Sequence, residues 1–301
     1  MRIGIIVGAS EGGDLDALVA QAKSLEEAGF ASLWAANIFG LDAITTMAIV
    51  GRETERIELG TAVVPTYPRH PTAIAQQALT VSAASKGRFA LGIGLSHKLV
   101  IENMLGFSYD KPARHMKEYL AVLGPLLRGE AVAHDGDEYK VNLALQVPGA
   151  KAVPLLVAAL GPVMLKLTGR LADGTITWMT GPKTLEDHII PTLGKAAADA
   201  GRPSPRTVAG LPIVITNDPA SARETIGKQL VMYGQLPSYR AMLDREGAAG
   251  PADVALAGDE AEVGAALDRL RDIGLTDFNA AIMPIEEGAG ERTLEFLKSR
   301  I

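Results

Sequence analysis

The chain has 301 residues, 48% of them hydrophobic and 21% charged, enough apolar material to fill the core of an α/β barrel of about 250 residues plus insertions. Its net charge of -6 and the lack of any Lys/Arg run leave no basic surface of the kind nucleic acid needs. There is no cysteine, which excludes disulfides, thiolate catalysis and thiolate metal sites.

Strands and helices alternate along the chain. The apolar run Ile3 to Val7 predicts a parallel strand buried on both faces. Asp14 opens a helix with apolar positions at helical spacing, ended by Gly29. The same order predicts strand Ser32–Ala35, helix Asp42–Glu53, strand Ile57–Val64, helix Pro71–Ser85 and strand Phe89–Ile93. Residues 98–150 are expected to hold a helix from His115 to Leu127 and a hairpin, Ala131–His134 against Glu138–Val141, around Asp135-Gly136-Asp137. The alternation resumes with strand Leu155–Ala159, helix Val163–Leu171, strand Thr175–Trp178, helix Thr184–Ala200, strand Thr207–Ile215 and helix Ala220–Tyr233. A second loose region spans about 234–258, and helix Glu260–Ile273, strand Asp277–Ile282 and helix Glu291–Lys298 complete the pattern.

Eight strands, each followed by a helix, predict a (β/α)₈ TIM barrel in one domain, with insertions after strands 4 and 7. The rival, an open doubly wound sheet, would carry a glycine-rich phosphate loop after its first strand, and the segment from Gly8 to Gly13 does not match G-x-G-x-x-G. The N-terminal apolar run is too short for a signal peptide, and no apolar stretch reaches about 20 residues. A cytoplasmic protein with no membrane partner is the expectation.

In a barrel, ligands bind where strands end, and four such places stand out. After strand three, Pro65, Pro68 and Pro71 stiffen a loop carrying Arg69 and His70. It is either a rigid turn or a fixed wall against a planar ligand. Strand four ends in Gly92-Ile93-Gly94-Leu95-Ser96-His97. The glycines allow close approach of a ligand or of a neighbouring backbone, or mark a plain tight turn. His97 at a strand mouth is a candidate proton-exchanging group, or a solvated loop histidine. Strand five leads through Ala158, Ala159, Leu160, Gly161 and Pro162 to Val163, a helix start whose free N–H groups suit a phosphate, or an ordinary helix start. Strand two leads to Asn37 and Asp42; Asp42 reads first as a helix cap. Trp34 and Trp178 read as packing, with Trp178 also within reach of the mouth. The histidines form no H-x-H or H-E-x-x-H pattern, and there is no Walker loop or G-x-S-x-G elbow.

Several segments, in order and spacing, resemble the luciferase-like monooxygenase superfamily, in its branch that uses the deazaflavin coenzyme F420. They are Glu26-Glu27-Ala28-Gly29-Phe30, Leu59-Gly60-Thr61-Ala62-Val63, Pro68-Arg69-His70-Pro71, Gly87-Arg88-Phe89, Gly92-Ile93-Gly94, Gly161-Pro162, Ala172-Asp173-Gly174, and Gly258-Asp259-Glu260 to Asp277-Phe278. The resemblance implies a non-proline cis peptide at Thr61-Ala62 or Ala62-Val63, backing the tricyclic ring. It implies that Asn37, Thr61, Ala62, Val63, Leu95, Ser96 and His97 lie at the ring, and that Ala158, Ala159, Leu160, Gly161 and Val163 receive the phosphate. His97 and His70 are the expected catalytic groups, with no metal.

The implied activity is hydride transfer between F420 and a small organic substrate, hydrophobic or amphipathic, by a homodimer. An FMN-dependent monooxygenase, a non-catalytic flavin-binding barrel and a cofactor-free hydrolase are the alternatives. Two departures bear on the substrate: His97 stands where the sugar-phosphate dehydrogenases of this family carry glutamate, and their substrate-phosphate cations have no clear match.

Overall fold

The computed structural model describes residues 1–7 and 14–301, so the glycine-bearing segment Gly8–Gly13 lies outside the described residues. Eight parallel strands form a closed ring: β1 (Arg2–Val7), β2 (Ser32–Ala35), β3 (Glu58–Thr61), β4 (Phe89–Gly94), β5 (Leu155–Val157), β6 (Gly174–Trp178), β7 (Arg206–Ile215) and β8 (Asp277–Ile282). Each pairs with its neighbours, and β8 returns to β1. Helices lie between successive strands, so the fold is a (β/α)₈ barrel.

Alternate residues of each strand point into the barrel. Ala90, Leu156, Ile176 and Val208 pack there around Trp34, with Ile6, Ala62 and Val63 above. Trp34 is fully buried and donates from Nε1 to Ser32 Oγ at 2.8 Å. Its ring occupies the space a side chain at Gly60 would need, since a Cβ there would lie 2.3 Å from Trp34 Cε3. Beneath it, Arg206 sits with its guanidinium carbon 5.3 Å from the Trp34 ring centroid. Arg206 donates to both Asp277 carboxylate oxygens at 2.8 Å, and Arg2 donates to Asp277 Oδ1 at 2.7 Å. Glu58 completes the group, 2.6 Å from Arg206. All four charged residues begin strands, so this plug closes the N-terminal end of the barrel and leaves any ligand the other end.

The structure corrects several predicted boundaries. Strand three does not run unbroken from Ile57 to Val64. Leu59 pairs with Phe89 and Gly60 with Ala90, but after Thr61 the pairing resumes only at Val64, opposite Ile93. Unbroken register would have set Val64 opposite Gly94, so one extra residue is accommodated as a bulge. The hairpin is shifted: Val132–Asp135 pairs with Lys140–Leu143, Asp135 opposite Lys140. The Glu118 carboxylate accepts from the N–H groups of Asp137, Glu138 and Tyr139, which holds the loop beyond the expected turn.

The helix predicted over Thr184–Ala200 starts at Pro182 and passes through a wide turn, Leu185–Ile189, just before Pro191, whose ring lacks an N–H and crowds the preceding turn. The helix predicted over Ala220–Tyr233 breaks at Leu230 into Pro219–Gln229 and Val231–Gln235. The second loose region contains a helix, Pro237–Glu246, and a short strand, Leu256–Gly258, paired with β7. No described helix is long and apolar enough to cross a membrane.

Burial alone pushes the Asp277 carboxyl up, but the hydrogen bonds and charge of Arg206, with Arg2 behind, outweigh it and hold the group below the usual carboxylate range. A depressed carboxylate contributes stability above its unfolded pKa of about 4 and loses it as the pH falls through the folded value. We therefore expect Asp277→Asn to cost about 3 kcal/mol at pH 7 in urea unfolding. The deficit should shrink as the pH drops below about 4, where wild type loses the same contribution.

Candidate active site

The bulge after β3 is the first element of the C-terminal mouth. Thr61 is buried, and its hydroxyl donates to the Gly92 carbonyl at 2.8 Å while accepting the Gly92 N–H at 2.9 Å. The Ala62–Val63 peptide is cis, the second of the two positions the resemblance implied. The bulge explains both glycines of β4. A Cβ on Gly92 would lie 2.0 Å from the Thr61 carbonyl oxygen, and one on Gly94 would lie 2.8 Å from a Val63 methyl. The geometry contains a close approach at both glycines, by neighbouring backbone at Gly92 and by a side chain at Gly94. The small, half-buried side chains of Ala62 and Val63 are left at the mouth.

Past β4, Leu95, Ser96 and His97 are all half-buried. Ser96 has a left-handed φ of 59°, and its carbonyl accepts the Tyr109 hydroxyl at 3.2 Å. That contact turns the chain so that the His97 ring lies 5.6 Å from the ring of Tyr239. Burial pushes the His97 imidazole below its ordinary pKa, so the neutral form prevails at pH 7.

Beyond β5, the helix Pro162–Leu171 begins at Gly161 in extended backbone with no side-chain cap. Asp14, Asp42, Asp218 and Asp259 each cap their own helices, and Glu246 accepts the N–H groups of Lys183 and Thr184. At Gly161 nothing lies within 4 Å of a built Cβ, and Val163 is 61% exposed. The first turn of this helix therefore has no side-chain cap at the positive end of the helix dipole. Ala158 and Leu160 are half-buried and Ala159 fully so; the Leu160 carbonyl accepts His188 Nε2 at 2.8 Å.

Two expected site residues also make bonds within their own loops. Asn37 is half-buried, and its side-chain carbonyl accepts the Ala43 N–H at 3.0 Å, beside the Asp42 cap. Exposed His70 caps helix Pro71–Ala84 through Nδ1 and sets its ring edge against Tyr139 of the hairpin, 5.3 Å away. Sequence reading missed three groupings. Arg69 pairs with Asp42, joining the loops after β2 and β3. Buried His115 stacks on Tyr67 at 4.1 Å and bonds Thr66 Oγ1 at 2.9 Å. Trp178, Tyr233, Tyr239 and His97 form a row of rings. All three join residues far apart in sequence; only Tyr239, within the second loose region, could have hinted at the row.

A family model for luciferase-like monooxygenases matches residues 1–279. The chain belongs to that family. A putative coenzyme F420-dependent oxidoreductase of Mycobacterium tuberculosis is 29% identical over 225 residues, covering 69% of this chain and 65% of the relative. Among solved structures, this luciferase-like chain superposes on the coenzyme F420-dependent tetrahydromethanopterin reductase of Methanopyrus kandleri with a TM-score of 0.82 at 22% identity, over 100% of this chain and 98% of that one. It also superposes on the oxygenating constituent of 3,6-diketocamphane monooxygenase from Pseudomonas putida in complex with FMN, with a TM-score of 0.77 at 16% identity, over 99% and 96% of the two chains. These two likenesses concern the fold.

The bulge is tied to β4 through the Thr61 hydroxyl. Thr61→Val should leave the Gly92 N–H and carbonyl short of a partner and cost about 1–3 kcal/mol in urea unfolding. An unchanged midpoint would show that the bulge is held without it.

Proposed function

We propose that this family member is an oxidoreductase that passes hydride between coenzyme F420 and a small organic substrate. One observation carries the reading. The uncharged bulge at Ala62 and Val63 lies beside the end of β4, and the next strand of the barrel leads to an uncapped, open helix start. A flat ring needs the first, and an anionic tail needs the second. The residues present therefore fit a phosphate-bearing tricyclic cofactor in chemistry: small apolar atoms for the ring, free backbone donors for the phosphate. The F420-dependent relative supports F420 over FMN, and FMN is the second reading because a fold-level neighbour is described in complex with it.

When bound, the cofactor supplies the redox chemistry, and the protein supplies orientation and electrostatics. Ala62 and Val63 would support the ring, Leu95 and Ser96 would flank it, and Val163 would offer its backbone N–H to the phosphate. His97, neutral at pH 7, would accept or return the substrate proton that accompanies hydride transfer. Asn37, Thr61 and His70 serve the scaffold through the bonds already described.

Two experiments test this. Gly161→Asp adds a helix cap and a negative charge at the proposed phosphate seat, where space allows it. Stability should stay level or rise by a few tenths of a kcal/mol, while affinity for F420 or FMN, read by fluorescence titration, should fall by about tenfold or more. Unchanged affinity for both would remove the phosphate seat. His97→Asn should abolish an acid limb in the pH profile of kcat/KM, a limb lying below the ordinary histidine value of about 6.5. A profile identical to wild type would remove the proton role.

A further inference from the structure

The row of rings at the mouth comes from three separate parts of the chain. Trp178 ends β6 and points inward, since a Cβ on Gly210 would lie 3.0 Å from Trp178 Cε3 and 3.1 Å from an Ile6 methyl. Tyr233 packs edge-on against Trp178 at 6.3 Å, and Tyr239 packs edge-on against Tyr233 at 5.6 Å. Tyr239 then meets His97 at 5.6 Å. The two tyrosines belong to the insertion after β7, which the break at Leu230 turns back over the strand ends. The insertion therefore spans the mouth from the end of β6 to the end of β4 with aromatic surface.

Charge is withheld from this wall. Arg240, next to Tyr239, donates to Asp244 and to the carbonyls of Ala248 and Ala249. Lys98, next to His97, pairs with Glu102. Nearby insertion segments instead expose apolar side chains, Leu99 and Phe107 after β4 and Met232 after β7. A charged substrate would find its counter-ions already paired, whereas the edges and faces of the rings suit a flat, uncharged, conjugated one.

We propose that Tyr239, the link between His97 and the other rings, selects uncharged substrates that carry an aromatic or conjugated face. This rests on the mouth being the substrate site of the oxidoreductase described above. It commits that site to a substrate class and makes Tyr239 its specificity-determining residue.

The test is a matched pair of neutral ketones with the same carbon skeleton, acetophenone and cyclohexyl methyl ketone. Each is titrated calorimetrically into the full chain, with and without F420 or FMN. Wild type should bind acetophenone about fivefold more tightly than its saturated twin, as an added aromatic contact predicts. Tyr239→Phe should keep that ratio, and Tyr239→Ala should bring it to within about twofold. Should Tyr239→Ala fail to fold, Tyr239→Leu is judged by the same ratio. Equal affinities in wild type, no binding of either ketone, or a preference that survives loss of the ring overturns the proposal. If neither cofactor binds, the redox reading fails, yet the ketone ratio of the unloaded protein still decides the role of Tyr239.

Discussion

A closed sheet of eight strands encloses a column that side chains must fill, and in this protein they fill it from one end only. Trp34 takes the place of a side chain at Gly60, and the Arg206–Asp277 pair, flanked by Arg2 and Glu58, closes the space beneath it. Burying those charges is costly unless each is paired. Every carboxylate and guanidinium of the plug accordingly has a partner of opposite charge. With bulk and charge concentrated at the N-terminal end, the C-terminal end is lined by Ile6, Ala62 and Val63, which are only partly buried. The packing of the N-terminal end leaves the C-terminal end as the place where the proposed ligand would sit.

The mouth is then shaped by one extra residue in β3. The bulge displaces the Thr61 carbonyl and the Val63 side chain toward β4, which can receive them only because Gly92 and Gly94 carry no side chain. The same local event therefore shapes two neighbouring strand ends and aims the Leu95–His97 segment. A different device acts beyond β5, where Gly161 offers no side-chain cap to its helix, in contrast to the helices that Asp14, Asp42 and Asp259 cap. A rigid apolar seat beside an open set of N–H donors suits a molecule with a flat body and an anionic tail.

Much of this was legible without coordinates. The alternation of strand and helix, the eight strands and both insertions follow from local periodicity, because a strand buried on two faces and a helix buried on one leave different repeats in sequence. Asp42 was read as a cap because capping is a contact over three residues. The Ile57–Val64 run was read as one strand because its apolar pattern continues through the bulge; only the pairing with β4 reveals the inserted residue.

The bonds that Asn37 and His70 make were not legible for a related reason. Residue type marks what a side chain can bond, but its partner is set by the loop it faces, Ala43 for one and Thr72 with Tyr139 for the other. Position along the chain, together with the family resemblance, was thus enough to predict the barrel and the order of its elements. Contacts between residues tens to hundreds of positions apart lie beyond the reach of local pattern. The charged plug, the glycine cradle of the bulge and the aromatic wall built by Tyr233 and Tyr239 therefore emerged only once the chain had closed on itself.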